Sequence, residues 1–420
     1  MSSSFNPVER TIARFLSRLP GLKRNVKRCY ALVMYVLKRK GYKIKLGESI
    51  KRIEQAGENT FFGYYDKSPV NSDSSLVIYQ KVNSGTAVKP SEVKDVSVCL
   101  SFFPSNDPIL KLPSMAFNWQ QGTKLQWLNA NKFIFNDFDI SENRYVSHIV
   151  DVNSREIVKT LQAPVYDCFQ DKFSVTLSFE RLAIYSPDYG YFAKNVTENE
   201  LLPDCQDGIF YVCLSSGEIS LFLSLQDIVN FEANTSMKNA KHTVNHLMIS
   251  PEGKQFMFIH RWFLNGRRFD RLMVADIDSK KLKVACANGM VSHCYWLDEN
   301  RVFSYLRGPE GQDSYWSISL NDLTFVRFNA LEKFGDGHPH FIGNLFVTDT
   351  YPDKSRMQHL FLVDFMSHKV EHIGEFYHGF DFDAETRCDL HPRISKCGQF
   401  IFVDTVYNNN RQLCWLERAI

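Results

Sequence analysis

Four histidines occupy equivalent positions in four successive segments of the chain, and this repeat limits the fold more than any other feature. They are His246 in VNHLMISPEGKQFMFIHRW, His293 in MVSHCYWLDENRVFSYLRG, His338 in GDGHPHFIGNLFVTDTYPD and His391 in CDLHPRISKCGQFIFVDTVYNNNRQ. The intervals between them are 47, 45 and 53 residues. Each histidine opens a short apolar run, which is followed by a turn with Gly, Asn or Asp and by a second apolar run. A period of about 40–50 residues with several short strands per unit is typical of a β-propeller.

The rest of the chain supplies three more units and thus predicts seven blades. Candidate innermost strands begin near Phe62, Thr123 and Asp167 and at the four histidines. The long third unit contains an insertion, SPDYGYFAKNVTENELLPDCQDG, and then a hairpin, GIFYVCLSSGEISLFLSL, that would form its outer strands. After Gln412 the last unit has room for only one more strand, so residues 49–55 are expected to add the missing outer strand and close the ring. We predict an all-β, seven-bladed β-propeller over residues 49–420, preceded by a basic α-helical arm over residues 1–48.

The arm differs sharply in charge from the rest of the chain. Residues 1–45 contain twelve Lys and Arg but one acid, Glu9, so their net charge is +11. Because the whole chain has a net charge of +2, the remaining residues have a net charge of −9. Apolar residues at helical spacing predict a helix from residue 7, broken near Pro20 and Gly21, and a second helix over 23–40. Such basic amphipathic helices suit an anionic membrane surface, here through residues 7–45; the alternative is a helix packed on the propeller with solvated charges. Nucleic acid is not an expected partner, because the body is acidic and has no nucleic-acid-binding motif.

Cysteine usage and the N-terminus bear on the compartment. The ten cysteines include no CxxC pair and do not indicate a disulfide framework. No secretory signal is visible, and the apolar run YALVMYVL over 30–37 is too short to span a bilayer. We therefore expect a cytoplasmic protein, which the arm would place at the periphery of the inner membrane.

Propeller geometry predicts which residues share one face. The first strand of each blade lines the central channel, and the second returns to the face where the first began. The predicted face combines the four histidines with polar and aromatic side chains that suit an anionic ligand, namely His260, Arg261, Tyr305, Arg307, Asp349, Tyr351, Asp353, Asp404 and Tyr407, with Asp66 and Lys67 from the first blade.

The residue types on this face allow metal and acid–base chemistry. Three or four converging neutral imidazoles suit Mn, Fe, Ni or Zn; alternatively each histidine binds a backbone carbonyl of the next blade. His260 could act as a base, with Arg261 or Arg393 pairing with a substrate carboxylate. Alternatively, Arg261 pairs with an acid such as Asp270. No Walker loop, GxGxxG turn or GxSxG elbow is present, which disfavours nucleotide binding and serine hydrolysis.

Several strings resemble a known family. FFGYYDKSP, LQWL…FND, VNHLMISPEGKQFMFIHRW, DGHPHF…VTDTYPD and CDLHPRIS…RQ are similar to TolB-like propellers related to oligogalacturonate lyase, over about residues 55–418. Members of this family also occur among genes for surface polysaccharides. The resemblance implies seven blades and, in the lyase branch, a divalent metal, typically manganese, held by histidines at the channel mouth. The matching ligands are His246, His293, His338 and His391, with His340 as a substitute. The amide ligand expected just before the histidine pair of DGHPHF is missing.

Three functions follow as expectations. The first is action on, or binding of, an anionic polysaccharide or oligosaccharide that contains uronic acid, by metal-assisted β-elimination. The second is a glycosyltransferase or accessory role in cell-surface polysaccharide biosynthesis at the inner membrane. The third is a non-catalytic propeller scaffold, because fold alone does not determine function.

Overall fold

Seven antiparallel sheets form the blades of a β-propeller in the computed structural model, which describes residues 20–47, 49–54 and 57–418. Two short strands precede the first blade: β1 (Ile44–Leu46) and β2 (Lys51–Arg52). Blade 1 contains β3 (Asn59–Phe61), β4 (Leu76–Val82), β5 (Val96–Phe102) and β6 (Pro108–Ser114). Blade 2 contains β7 (Gln126–Trp127), β8 (Lys132–Asp139), β9 (Arg144–Asp151) and β10 (Glu156–Leu161). Blade 3 contains β11 (Asp167–Phe169), β12 (Phe173–Leu177), β13 (Gly208–Cys213) and β14 (Ile219–Ser224).

The remaining blades carry the histidine repeat. Blade 4 contains β15 (Lys241–Ile249), β16 (Gln255–Leu264), β17 (Arg267–Asp276) and β18 (Leu282–Cys286). Blade 5 contains β19 (Val291–Asp298), β20 (Arg301–Arg307), β21 (Asp313–Ser319) and β22 (Phe325–Phe328). Blade 6 contains β23 (His340–Ile342), β24 (Leu345–Asp349), β25 (Met357–Asp364) and β26 (Val370–Tyr377). Blade 7 contains β27 (Arg393–Ile394), β28 (Phe400–Thr405) and β29 (Gln412–Glu417).

Helices are confined to the arm and the loops. The α-helices are α1 (Pro20–Lys38), α2 (Phe179–Tyr185) and α3 (Leu225–Asn230). Single 3₁₀ turns cover Pro90–Glu92, Pro187–Tyr189, Glu198–Glu200, Thr235–Met237, Asn329–Leu331 and Ala384–Thr386.

The second strand of each blade is apolar because both of its faces are covered by neighbouring blades. In β4, for example, Val77 and Ile78 point to opposite faces and both are fully buried, as is almost all of Tyr79. A strand buried on both faces reads as a continuous apolar run, which is the pattern that the sequence shows.

The N-terminal strands close the ring. β2 pairs with β29, with Lys51 opposite Trp415, and becomes the outermost strand of blade 7, as the sequence predicts for residues 49–55. β1 pairs with β26, with Ile44 opposite Phe376, and gives blade 6 a fifth strand. The propeller sheets therefore include residues from Ile44 onward. The predicted boundary between arm and propeller, at residue 48, had placed this strand in the arm.

Helix α1 begins at Pro20, near the predicted start of the second helix, and proline is well tolerated at this first position. The helix predicted from residue 7 lies outside the described residues. Tyr35 packs on blade 6, with its ring centroid 5.8 Å from that of Tyr377 and 5.5 Å from that of Phe380. Among the described helices, none combines the length and the apolar character needed to cross a bilayer.

The segment that joins β12 to β13 contains α2, which precedes the predicted insertion, and the Pro187–Tyr189 turn, which lies within it. Ser178 caps α2 by accepting from the backbone N–H of Arg181. Arg181 anchors the insertion through Asp207, at 2.5 Å. The Pro187–Tyr189 turn packs against the Ala384–Thr386 turn, which precedes blade 7. The insertion thus reaches from blade 3 to the entry of blade 7.

Candidate metal centre at the channel mouth

A segment of blade 1 fills the channel beneath the histidines. In this segment Asn59–Phe61 pairs as a strand. Residues 62–69, which we call the plug, follow the strand and contact each of the six remaining blades. Its contacts are Lys124 over the Tyr64 ring in blade 2, Asp167 with Lys67 in blade 3, His246 with Tyr64 in blade 4, Cys294 with Tyr65 in blade 5, His340 with Tyr65 in blade 6 and Arg393 with Tyr64 in blade 7. The innermost strand predicted near Phe62 is Asn59–Phe61, and the residues from Phe62 onward do not continue it.

Two buried charges of blade 7 hold the plug. Asp404 accepts from the backbone N–H groups of Phe62 and Gly63, at 3.0 and 3.1 Å. Arg393 pairs with Asp404 at 2.9 Å and donates to the carbonyl oxygens of Gly63 and Tyr64. Both residues were predicted to meet substrate, but their polar groups are used to fix the plug.

The histidine ring, defined as His246, His293, His338 and His391, lies on the plug. Ring centroids are 6.2 Å apart for His246 and His293, 3.9 Å for His293 and His338, and 4.3 Å for His338 and His391. Tyr65 contacts three of these rings at 5.4–6.2 Å. The sequence repeat therefore brings all four imidazoles together, as predicted.

Local backbone irregularity aims these side chains inward. The ladder of β15 is interrupted between Asn245 and Met248, and that of β19 between Val291 and Cys294, so His246 and His293 sit in β-bulges. His338 and His391 precede their strands by two residues. His246 and His391 have φ of 55° and 42°, values that are uncommon for non-glycine residues and often found at functional sites.

Each of three ring histidines has its Nδ1 atom occupied by an acceptor. His338 donates to Asp349 at 2.8 Å, His293 to Asp336 at 3.1 Å, and His391 to the Gly63 carbonyl at 2.9 Å. An acceptor on Nδ1 fixes the tautomer that leaves the Nε2 lone pair free for a ligand. Carboxylate or carbonyl acceptors of this kind commonly orient metal-binding histidines.

Asp389 completes a group with metal-ligand spacing. The ligand atoms of His338, His391 and Asp389 lie within 4.8 Å of one another, and all three residues are buried. One carboxylate oxygen of Asp389 accepts from Arg387 at 2.7 Å. The other, Oδ1, and Nε2 of His391 are buried without a partner among the described residues. Unsatisfied buried acceptors are costly, so a divalent cation between these atoms fits the donor set.

The electrostatics of the ring keep most of its imidazoles neutral. Burial, with the neighbouring His338, lowers the pKa of His293, and it lowers the pKa of His391 well below the usual range. Burial also acts to lower the pKa of His338, but the carboxylates of Asp349, Asp389 and Asp336 together outweigh it, and the pKa is raised. Arg387 and other cations outweigh burial at Asp389 and lower its pKa. His391 and Asp389 thus already have the protonation states that metal binding requires, whereas His338 would release its proton when a metal binds.

His246 differs from the other three. Its Nδ1 lies 2.5 Å from the Tyr64 hydroxyl, and the two rings stack at 5.3 Å. Burial, with the nearby Arg261 cation, lowers the pKa of His246 well below its usual range. His246 is thus a neutral imidazole beside the His338–Asp389–His391 group.

Aromatic and charged residues surround the mouth. Tyr351 lies 5.9 Å from His338, and Tyr189 of the insertion lies 5.1 Å from His246. The Arg387 guanidinium lies 5.5 Å from the centre of the Tyr351 ring, and its side chain is 25% exposed. Arg261, which pairs with Asp270 at 2.5 Å, lies close enough to act electrostatically on His246 and Tyr189. Two arginines, one of them accessible, therefore face the ring.

Other predicted residues lie elsewhere. His260 is fully buried between His242 and Arg271, which occupy its two ring nitrogens at 3.0 and 2.9 Å. His340 Nδ1 hydrogen-bonds to the Tyr65 carbonyl at 2.6 Å. The remaining residues have structural contacts: Tyr305 with Tyr315, Arg307 with Asp313, Asp353 with His359, Tyr407 with Arg52, and Asp66 and Lys67 inside the channel, where Lys67 binds Asp167.

Several residues at the mouth were not selected from the sequence. Asp336 and Asp389 each precede a ring histidine by two residues, in DGH and DLH, and this repeated Asp-x-His spacing was a usable signal. No comparable sequence signal identifies Arg387 or Tyr189. Arg387 lies in the loop before blade 7 and Tyr189 in the distant insertion, and these two segments meet only in the folded chain.

Comparisons with known proteins bear on the fold. No protein-family model matches the chain, and no curated sequence matches it. Similar solved structures include oligogalacturonate lyase in complex with manganese, with 9% identity over 91% of this chain and 95% of that chain and a TM-score of 0.41. TolB from Acinetobacter baumannii has 13% identity over 77% and 76%, with a TM-score of 0.40. A chain of the mitotic checkpoint complex has 11% identity over 91% and 95%, with a TM-score of 0.50. The seven sheets of the structure confirm the predicted seven-bladed propeller.

Proposed function

We propose that the channel mouth holds a divalent cation and acts on the uronic acid units of an anionic polysaccharide by β-elimination. The observation that carries this proposal is the group of His338, His391 and Asp389, in which two buried acceptors lack partners. His293 packs against His338 and is the fourth candidate ligand. Manganese is the expected metal, and its site would use nitrogen and carboxylate oxygen donors.

The accessible cation at the mouth suits an acidic sugar. Arg387 keeps one edge toward Asp389 and is a quarter exposed, so it can also meet a substrate carboxylate. Tyr189 and Tyr351 offer aromatic surfaces on which a sugar ring can stack. When bound, the metal would neutralise the uronate carboxylate and stabilise the charge that develops next to it.

His246 is the ring imidazole best placed to take the proton. In the tautomer that carries its proton on Nδ1, beside the Tyr64 oxygen, His246 keeps a lone pair on Nε2. Abstraction of the proton beside the carboxyl group, with cleavage of the C–O bond on the next carbon, forms a double bond and releases the leaving chain, whose oxygen takes up a proton from water. We assign this role to His246 because the ring nitrogens of His260 are both engaged.

Elimination is tested by the unsaturated product, which absorbs ultraviolet light. Manganese-loaded protein is incubated with polygalacturonate, alginate and hyaluronan, beside the variants His246→Gln and His391→Ala and the exposed control His368→Asn. We expect an absorbance increase in wild type and control. His246→Gln should lose at least about 100-fold in rate, the order expected for loss of a general base, and His391→Ala should lose activity because a metal ligand is removed. No absorbance change with any uronate polymer would contradict elimination and favour binding or a scaffold role.

The features of the arm support a location of this protein at a membrane surface. A role in the assembly of cell-surface polysaccharide would require the same location. One side of α1 packs on blade 6 through Tyr35, whereas Val33, Val36 and Leu37 on the other side are 58–69% exposed. An apolar helix face flanked by Lys and Arg binds anionic bilayers. We propose that this face lies on such a surface. Co-flotation with phosphatidylglycerol vesicles, lost on removal of residues 1–39 and weak with phosphatidylcholine, is the expected result.

A further inference from the structure

A second group of metal-ligand residues lies on blade 6, away from the channel. It consists of His359 on β25 and His372 and Glu375 on β26, whose ligand atoms all lie within 4.8 Å of one another. The channel proposal uses none of these residues.

A β-bulge creates this group. Residues three apart on a regular strand point to opposite faces, so His372 and Glu375 would be separated. Glu375 pairs directly with His359, but the register shifts between Leu360 and Phe361, which leaves Ile373 as an extra residue on β26. The extra residue turns His372 onto the face of His359 and Glu375.

The hydrogen bonds of His359 prepare it as a ligand. Its Nε2 lies 3.2 Å from Asp353 Oδ2, and Asp353 Oδ1 is held by the backbone N–H groups of Ser355 and Met357. Donation of Nε2–H to this carboxylate leaves the Nδ1 lone pair facing His372 Nε2, at 3.2 Å. Two nitrogens bound to one tetrahedral zinc ion at 2.0–2.1 Å are separated by roughly 3.3 Å, so the spacing fits.

Glu375 connects the group to the arm. Lys40 forms an ion pair with its Oε2, and the Tyr42 hydroxyl donates to the same oxygen at 3.1 Å. Both contacts use Oε2, so a metal ion can bind through Oε1 without displacing either of them.

We propose that His359, His372 and Glu375 form a zinc site on blade 6, separate from the channel. Two imidazoles and one glutamate are an established zinc donor set, with a fourth position for water. The bound ion would fix the edge of blade 6 on which Lys40, Tyr42 and β1 dock.

Zinc stoichiometry tests this site in the full-length, untagged protein. Chelator-treated wild type, His372→Ala, Glu375→Gln and His338→Ala are titrated with Zn²⁺ against a chromophoric competitor, with His368→Asn on the same blade as control. We expect His372→Ala and Glu375→Gln to bind one equivalent fewer than wild type or to lose at least about tenfold in affinity, while His368→Asn matches wild type. His338→Ala should retain the blade 6 site. Because the comparison is a difference from wild type, it remains decisive whether or not the channel binds metal.

A spectroscopic readout separates a formed site from loose surface binding. Co²⁺ in a four-coordinate site of this kind should give visible absorption in His338→Ala, which lacks the channel site, and this absorption should be absent in the double variant His338→Ala/His372→Ala. Equal zinc stoichiometry and affinity in wild type and His372→Ala, or unchanged cobalt absorption, would overturn the proposal. His372 is exposed, so its substitution should leave the melting temperature in chelator unchanged.

Discussion

Asp349 holds His338 by two hydrogen bonds and also reaches the next histidine of the ring. Its Oδ1 accepts from the backbone N–H of His338 at 2.9 Å and from Nδ1 at 2.8 Å. Its Oδ2 accepts from the backbone N–H of His391 at 3.1 Å. One carboxylate at the end of β24 thus positions two proposed metal ligands from adjacent blades.

Asp349→Asn should weaken the channel metal site without removing a ligand. The amide keeps the size of the side chain but loses the charge that orients and polarises His338. The expected fall in manganese affinity is about 10–100-fold, measured by equilibrium titration. Asp364→Asn, at a turn of the same blade, is the control and should bind as wild type does. An unchanged affinity in Asp349→Asn would show that this carboxylate does not support the site.

Arg393→Leu should destabilise the whole propeller. Arg393 is fully buried, and its loss leaves the Gly63 and Tyr64 carbonyl groups and the Asp404 charge less satisfied. Breaking one side of a buried ion pair costs about 3–5 kcal/mol of the free energy of unfolding. Arg301→Leu, which removes the exposed pair with Asp298, should cost at most about 1 kcal/mol. Equal losses in the two variants by urea denaturation would contradict the role of the plug.

Two truncations should distinguish the contribution of the arm to thermal stability from the contribution of ring closure. Removal of residues 1–39 deletes α1 but retains β1 and β2, so the melting temperature should change little. Removal of residues 1–54 strips the outermost strands from blades 6 and 7 and exposes the edges of β26 and β29. We expect a lower melting temperature and aggregation for the longer deletion only. Identical melting curves for both truncations would mean that closure contributes nothing.

Acid should destabilise the protein partly through His378. Burial, with the nearby Arg356 cation, lowers the pKa of His378 to about 3, against about 6.5 when unfolded. Between these values the unfolded chain binds the proton and the folded chain does not, so stability falls as the pH drops from about 6.5 toward 3. The slope attributable to one such group is about 1.4 kcal/mol per pH unit.

His378→Gln should therefore flatten the pH dependence of the free energy of unfolding between about pH 6 and 4, measured in metal-free protein. His368→Asn, on an exposed turn, should leave the slope unchanged. If the free energy of unfolding of His378→Gln depended on pH as steeply as that of wild type, His378 would not be a neutral histidine in the folded protein.

The blades were predictable because their signals are local. Paired apolar runs, turn residues and the spacing of the histidines identify seven units, and the short last unit indicates closure by residues 49–55. These patterns depend on near neighbours in the chain. For the same reason the ring of four histidines could be predicted from the repeat and propeller geometry.

The plug and the mouth depend on contacts between distant segments. The sequence of residues 62–66 has the pattern of a strand. In the structure, however, Gly63 has a φ of 115°, and a Cβ atom at this position would lie 2.6 Å from the Gln121 backbone. Nothing local shows that this glycine turns the chain into the channel. Arg387 and Tyr189 come from loops that meet across the mouth, so their part in the site follows only from the fold.

The most direct test of the central claim is the metal content of the channel. Untagged wild type, His338→Ala, His391→Ala and the control His368→Asn are dialysed against manganese, desalted and analysed by mass spectrometry and protein concentration. We expect about one equivalent more manganese in wild type and control than in either ring variant, with all four proteins folded. Equal manganese in all four would contradict a metal centre formed by His338, His391 and Asp389.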